Sequence, residues 1–317
     1  MNHILDLVNQ EKELFSLFET IFHGNSILFL GAGASVGEKR YLSKEVIEYY
    51  EEYLGYSLGE NNITRFVDIL SADSDFNRNH FDAEVEKMLR KYELTEAHKI
   101  MASIPWREII TTNFDLLVEQ AYDEIKDSSK HIYELKTIRD KKEYNYKTSA
   151  DELKYVKLNG CISDKGKYPL AFSTEDFISL NSFYKYVLND LKNLSDKISL
   201  ISVGYSFSDE FGVELLKKYD SYNYREKKWI INVDPYPNEK ALKYYSSQRI
   251  AIVKCSFSDF FNKYALWEEN VYNQKRKKIN ITNSKNSQIN IPFRLSQKLS
   301  TCLKQLNESI PEKFIKM

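Results

Sequence analysis

Five stretches of this chain set small or polar residues directly after apolar runs. They are Gly31-Ala32-Gly33-Ala34-Ser35, Thr111-Thr112-Asn113-Phe114-Asp115, Lys157-Leu158-Asn159-Gly160, Gly204-Tyr205-Ser206-Phe207-Ser208-Asp209 and Asn232-Val233-Asp234-Pro235. The first has the make-up of a phosphate-binding turn. Glycine and alanine let a backbone approach a bulky ligand, glycine reaches positive φ without strain, and free N–H groups at a helix start attract anions. Ser35 adds a hydroxyl, and Asn113 and Asp115 add an amide and a carboxylate. Each stretch also has a plainer reading. Asn113 could cap a helix starting at Phe114, although Thr111, Thr112 and Asp115 around it favour a site. Asp115 could be a first-turn charge facing the helix dipole. Ser206, Ser208 and Asp209 are ordinary cap residues, and Asp234 before Pro235 is a common turn signal.

A site built from these stretches needs them on one edge, and the periodicity supplies that. Ile27 to Gly31 reads as a strand buried on both faces, and Arg107 to Thr112, Leu153 to Leu158, Lys197 to Val203, Trp229 to Val233 and 249–254 read as further strands. Residues 131–138 are a further candidate strand. Helical spacing covers 2–23 (closed by Gly24), a helix from Ser43 through Leu54, two or three helices over 61–104, and Phe114 to Tyr122. It continues after the Ser173/Asp176 capping box through Leu191, after Ser208 through Leu216, and over 238–246 and 256–268. Alternation of this kind gives an α/β, doubly wound, mostly parallel Rossmann-like sheet, in which ligands bind beyond the carboxyl ends of the strands. The helices between about 38 and 104 form an inserted module expected to lie over the site. The domain would run 1–270. Residues 139–152 read as a solvated loop, and 271–317 as a linker and C-terminal arm with a short terminal helix.

Composition narrows the class. In 317 residues, 45 basic side chains balance 46 acidic ones, so no global charge points to nucleic acid. The basic run Lys275-Arg276-Lys277-Lys278 lies among Asn and Ser and reads as solvated linker. Cys161, Cys255 and Cys302 are far apart, which argues against a structural zinc site or a disulfide framework and fits a reducing, cytoplasmic setting. His23, His80, His98 and His131 lack metal spacing and read as surface or helix-end residues; no metal is expected. No apolar run reaches ~20 residues, so no membrane span is expected.

Together the five stretches, in this order over roughly residues 25–260, resemble the sirtuin family, and within it the bacterial sirtuin-like defence proteins that consume NAD instead of deacylating proteins. Thr111-Thr112-Asn113-Phe114-Asp115 is the most specific of them. The paired zinc cysteines of the deacylases are missing here, which favours the NAD-consuming branch. The resemblance implies an NAD glycohydrolase releasing nicotinamide and ADP-ribose. Gly31, Ala32, Gly33 and Ser35 would hold the pyrophosphate, with Gly204 and Ser206 along the phosphate and ribose and Asn232 and Asp234 at the adenosine ribose. Asn113 and Asp115 would sit at the nicotinamide end, and Thr112 would be a further residue binding NAD. Cleaving that N-glycosidic bond passes through a positive ribose, which a fixed amide and a carboxylate can stabilise. An activity so toxic implies control by self-association or by a defence partner, with 61–104 and 271–317 as the candidate segments.

Asn159 departs from the resemblance. The family usually places a histidine there as general base, and asparagine cannot take a proton near neutral pH. Three readings follow: a natural variant that needs no base, an NAD or ADP-ribose binder without catalysis, or a substitution that silences a toxic enzyme.

Overall fold

The structure is a computed structural model that describes residues 4–5, 11–35, 42–128, 131–145, 148–192, 198–207, 209–220, 230–237, 247 and 250–282. Its centre is an eight-stranded sheet in which every pairing is parallel. The strands are β1 (Ile4–Leu5), β2 (Ser26–Leu30), β3 (Glu108–Thr111), β4 (Glu134–Ile138), β5 (Glu152–Lys157), β6 (Ser199–Val203), β7 (Ile230–Val233) and β8 (Ile250–Val253). Their spatial order is β1-β8-β7-β6-β2-β3-β5-β4. The doubly wound, Rossmann-like class expected from the alternation is therefore present.

Strand periodicity divides the core. In β2, Leu28 and Leu30 face the layer of α1 (Glu11–Phe22), α5 (Glu96–Ala102), α6 (Leu117–Ile125) and α10 (Phe257–Thr282). Ile27 and Phe29 face the opposite layer, made of α7 (Lys141–Tyr144), α8 (Thr174–Lys192) and α9 (Glu210–Asp220). Alternate side chains of a strand point to opposite faces, so a buried run of this kind needs helices on both sides. Gly24, with φ of 72°, ends α1 by turning the chain, and the amides of Gly24 and Asn25 close on Ile21 and Thr20.

A third core lies beyond the sheet edge. Helices α2 (Leu42–Leu54), α3 (Ile63–Ser71) and α4 (Arg78–Leu89) bury Tyr50, Phe66 and Phe81 against Phe114, Ile162, Leu170 and Phe172. Phe66 and Phe81 are fully buried. Each contributes roughly 1.5–3 kcal/mol from removal of apolar surface from water. Polar clasps join these helices to the start of α8. Arg78 pairs with Asp82 at 2.9 Å and Asp176 at 3.0 Å, and Asp68 accepts from the Thr174 amide at 2.9 Å and hydroxyl at 2.6 Å. Helix α5 packs instead with α6 and α10 beneath the sheet.

Several elements differ from their sequence expectation. Ile4 and Leu5 form an edge strand on Ile252 and Val253 where 2–23 reads as one helix. That pairing joins distant parts of the chain and leaves no local signal. Helix α6 begins at Leu117, not Phe114, because 112–116 form the strand-end loop. Within 139–152, the Asp140 side chain caps α7 and Tyr144 is buried, so charge density concealed an apolar anchor. Helix α10 continues through the change of composition at 271 to Thr282; Lys, Arg and Gln are good helix formers. The expected helix at 238–246, the Ser208 cap and residues 283–317 lie outside the described residues. Among the described residues no helix is long and apolar enough to cross a membrane.

Candidate active site

Strand β2 sits where the winding reverses: β6 lies on one side of it and β3 on the other. The chain leaves neighbouring strands β2 and β6 toward opposite faces, which opens a crevice at their carboxyl ends. All strands run the same way, so the five polar strand ends share that edge.

The turns after β2 and β6 lean directly on one another. A Cβ at Gly31 would lie 2.5 Å from the Gly204 carbonyl oxygen, and one at Gly33 would lie 2.8 Å from the Gly204 Cα. Gly204 has φ of +65°, and its Cβ would lie 2.5 Å from the Ala34 nitrogen. These glycines are required by loop-on-loop contact, whatever they also admit. The amides are committed as well. Gly31 donates to Val203 and Gly33 to Gly204, while Ala34 and Ser35 close the 3-10 turn on Gly31 and Ala32. The expectation of freely available N–H groups along this turn is therefore met far less fully than the sequence suggests. What faces a ligand is a narrow backbone wall at Ala32, Gly33 and Gly204.

Asn113 crosses from β3 to this turn. Its Nδ2 donates to the Gly31 carbonyl at 2.9 Å and to Ser35 Oγ at 2.8 Å. A carbonyl only accepts, so the amide nitrogen must face Gly31 and Oδ1 is left toward the crevice. Ser35 Oγ in turn donates to Asp115 Oδ2 at 2.6 Å, and Asp115 Oδ1 accepts from the Leu117 amide at 3.0 Å. Thr111 Oγ1 donates to Leu30 at 3.0 Å and accepts from the Asn113 amide at 3.0 Å. Asn113 is thus held by a buried polar chain and does not cap a helix. Asp115 does serve the entry to α6, and it anchors Ser35 at the same time.

Two groups behind this chain were not singled out by sequence. Lys157, at the end of β5, is fully buried. Its Nζ reaches the Asp115 carbonyl, the Phe114 carbonyl at 3.5 Å and Glu119 Oε1 at 3.1 Å. Burial opposes its charge, but Glu119, with Cys161 and Asp115, outweighs burial and holds the ammonium above its ordinary value. His98 is a helix-end residue, in the first turn of α5, and of the two places read for it the surface one is excluded, because it is buried. Its Nδ1 accepts from the Thr95 amide at 3.2 Å, so Nε2 carries the proton and donates to the Ala34 carbonyl at 3.1 Å. The only sequence trace of this role is the Thr95/His98 capping-box spacing.

Burial pushes the His98 imidazole below its ordinary value, against the opposing pull of the Ala34 carbonyl and Asp115. Its folded value lies below its unfolded one. The stability it contributes is complete above the unfolded value near ~6.5 and is lost as pH falls from there through the folded value. The loss is limited to about 1.4 kcal/mol per pH unit for one proton. The urea midpoint is expected to fall between pH 7.5 and 5, and to fall less in His98→Gln. Equal falls in the two proteins would remove this histidine from the pH response.

The crevice has a volume of about 950 Å3. That is at the upper end of the ~300–1,000 Å3 common for small-molecule sites and suits a dinucleotide. Of the sequence-derived site residues, Ala32, Gly33, Thr112, Asn113, Asn159, Gly204, Ser206 and Asp234 line it. Ser43, Lys44, Asn62 and Thr64 of the α2–α3 region line the facing side. Gly31, Ser35 and Asp115 stand behind the wall as supports. Asn232 is not brought to the crevice. It lies inside β7 opposite Ser202 and Ile252, buried, with its Oδ1 unpartnered among the described residues. Asp234 Oδ1 accepts from the Tyr236 amide at 2.8 Å, the turn expected before Pro235. Asn159 lies two residues beyond the end of β5, and its Oδ1 accepts from the Tyr184 hydroxyl at 2.6 Å.

A wholly parallel, doubly wound sheet with its polar residues gathered at the reversal of winding defines a Rossmann-like domain, and residues 107–253 match the family model described as a SIR2-like domain. The NAD(+) hydrolase ThsA of Bacillus cereus (strain MSX-D12) is 25% identical over 210 residues, which cover 64% of this chain and 42% of the relative. The chain therefore spans less than half the length of that curated relative. Among solved structures, Sir2Af2 bound to a myristoylated histone peptide aligns with a TM-score of 0.42 at 13% identity, over 83% of this chain and 99% of that one. The chain resembles the Sir2-type NAD hydrolases, as its strand ends indicate.

Proposed function

We propose that this protein is an NAD+ glycohydrolase that cleaves the nicotinamide–ribose bond, giving nicotinamide and ADP-ribose, and that it acts in the cytoplasm in anti-phage, abortive-infection defence. The observation that carries the reading is the hydrogen-bonded chain Asn113–Ser35–Asp115, which sets Asn113 at the crevice, with Asn113 and Asp115 inside the segment 107–253 that matches the SIR2-like domain. Ala32, Gly33, Gly204 and Ser206 hold the pyrophosphate, and Asp234 takes the adenosine ribose. Asn113 faces the ribose at the nicotinamide end and orients the attacking water; Ser35 and Asp115 hold its amide in place. The α2–α4 helices cover the crevice. Control through self-association or a defence partner follows from the toxicity of the activity.

Asn159 favours a second reading, a subunit that binds NAD or ADP-ribose without turnover. Incubation of the protein with NAD+, followed by chromatography, separates the two. Equimolar nicotinamide and ADP-ribose is the expected result. Nucleotide bound without product would establish the binder, and neither binding nor product would overturn both readings.

A further inference from the structure

Asn159 stands at the crevice without a base, and the residue that orients it lies on another element. Tyr184 projects from α8 and is buried, its ring edge-on to Phe211 at 5.2 Å. Its hydroxyl donates to Asn159 Oδ1 at 2.6 Å, and both residues line the crevice. The Asn159 backbone is equally fixed. Its carbonyl accepts from the Ala171 amide at 2.8 Å, and Gly160 follows with φ of +98°, where a Cβ would lie 2.2 Å from the Pro169 carbonyl oxygen. With the backbone pinned and Oδ1 occupied, the planar carboxamide is fixed and has one polar group left to present, the amide nitrogen. Among the described residues that nitrogen has no protein partner.

We infer that Tyr184 is a positioning residue for the proposed hydrolase, holding the Asn159 oxygen so that the amide N–H groups point into the crevice as donors. The inference rests on the NAD-hydrolase reading. It specifies what the site takes at this point: a hydrogen-bond acceptor, such as the lone pair of a ribose hydroxyl. On the neighbouring strand end, where Thr111 pairs with Lys157, Asn113 presents the complementary acceptor, Oδ1. A neutral donor replaces a proton acceptor at 159, so the site binds and orients the sugar hydroxyl without deprotonating it. Turnover then lacks the limb near pH ~6.5 that a histidine in that place would impose.

A double-mutant cycle tests this. Tyr184→Phe removes only the hydroxyl, frees the amide and is expected to lower kcat/KM about 3- to 10-fold. Asn159→Asp keeps an acceptor for Tyr184 but replaces the crevice donor with an acceptor, and is expected to lower kcat/KM about 10-fold or more. If Tyr184 acts through Asn159, the double variant is no worse than Asn159→Asp alone. The same cycle is measured as ADP-ribose affinity by calorimetry, so it can be read without turnover. Additive losses, or an Asn159→Asp protein equal to the parent, would overturn the role of Tyr184 while nicotinamide release in the parent left the function standing. A parent that neither binds ADP-ribose nor releases nicotinamide would remove the function and the inference together.

Discussion

Asn113→Ala is expected to lower NAD+ hydrolysis by about 100- to 1,000-fold, the loss typical when one pre-positioned polar group is removed from a reacting centre. The reason is geometric. The amide nitrogen is tied to the Gly31 carbonyl and Ser35 Oγ, and Ser35 is tied to Asp115, so Oδ1 is presented to the crevice before any ligand arrives. Affinity for NAD+ is expected to change much less than kcat, because Gly33, Gly204 and Asp234 lie on other strand ends. The truncation also removes one of the two donors to the Gly31 carbonyl, which keeps the Ala34 amide, at a cost of about 0.5–1.5 kcal/mol, so thermal melting of the variant should accompany the assay. Asp115→Asn is expected to cost less than Asn113→Ala, since an amide at 115 still accepts from the Leu117 amide and only the hold on Ser35 weakens. Parental turnover in a folded Asn113→Ala protein would take Asn113 out of the chemistry.

The elements legible in the sequence were those with local causes. Ile27 to Leu30 is too uniformly apolar to be anything but a strand covered on both sides. The polar residues after Thr111, Leu158 and Val203 marked strand ends because a parallel sheet places them all on one edge. What stayed hidden depended on distant partners. Ile4 and Leu5 become a strand only because Ile252 and Val253 offer an edge. Lys157 reads as one more cation in a chain rich in them, and His98 as a polar helix start; their burial is decided by the loops that settle over them. The glycines were legible as a turn but not in their first duty, since only the fold shows that Gly31 and Gly33 must clear Gly204. Asn232 misled for the converse reason. Its place two residues before Asp234 suggested the crevice, yet β7 runs on through Val233, so Asn232 lies within the strand between Ser202 and Ile252, short of the edge where Asp234 emerges.

Lys157→Met carries the largest expected effect on stability. Methionine keeps the length and volume of the side chain, so the change removes a charge and its donors without opening a cavity. The Asp115 carbonyl loses the ammonium donor, the Phe114 carbonyl keeps only the Ile162 amide, and Glu119 loses its cation. Glu119 is 22% exposed and can turn partly to solvent. The expected cost is therefore about 3 kcal/mol, the lower end of the range for breaking a buried ion pair from one side. A lower urea midpoint would register it. The fold and the site are linked here, because the carbonyls that Lys157 holds belong to the loop between Asn113 and α6. Hydrolysis should fall even at temperatures where Lys157→Met is fully folded, as Asn113 loses its fixed approach to Gly31 and Ser35. Adding Glu119→Gln should restore part of the stability, since no unpaired carboxylate then remains, but not the activity, since the Asp115 carbonyl still lacks the ammonium donor. Recovery of both together would mean that the ion pair, and not the hold on the 113–115 backbone, is what this buried ammonium supplies.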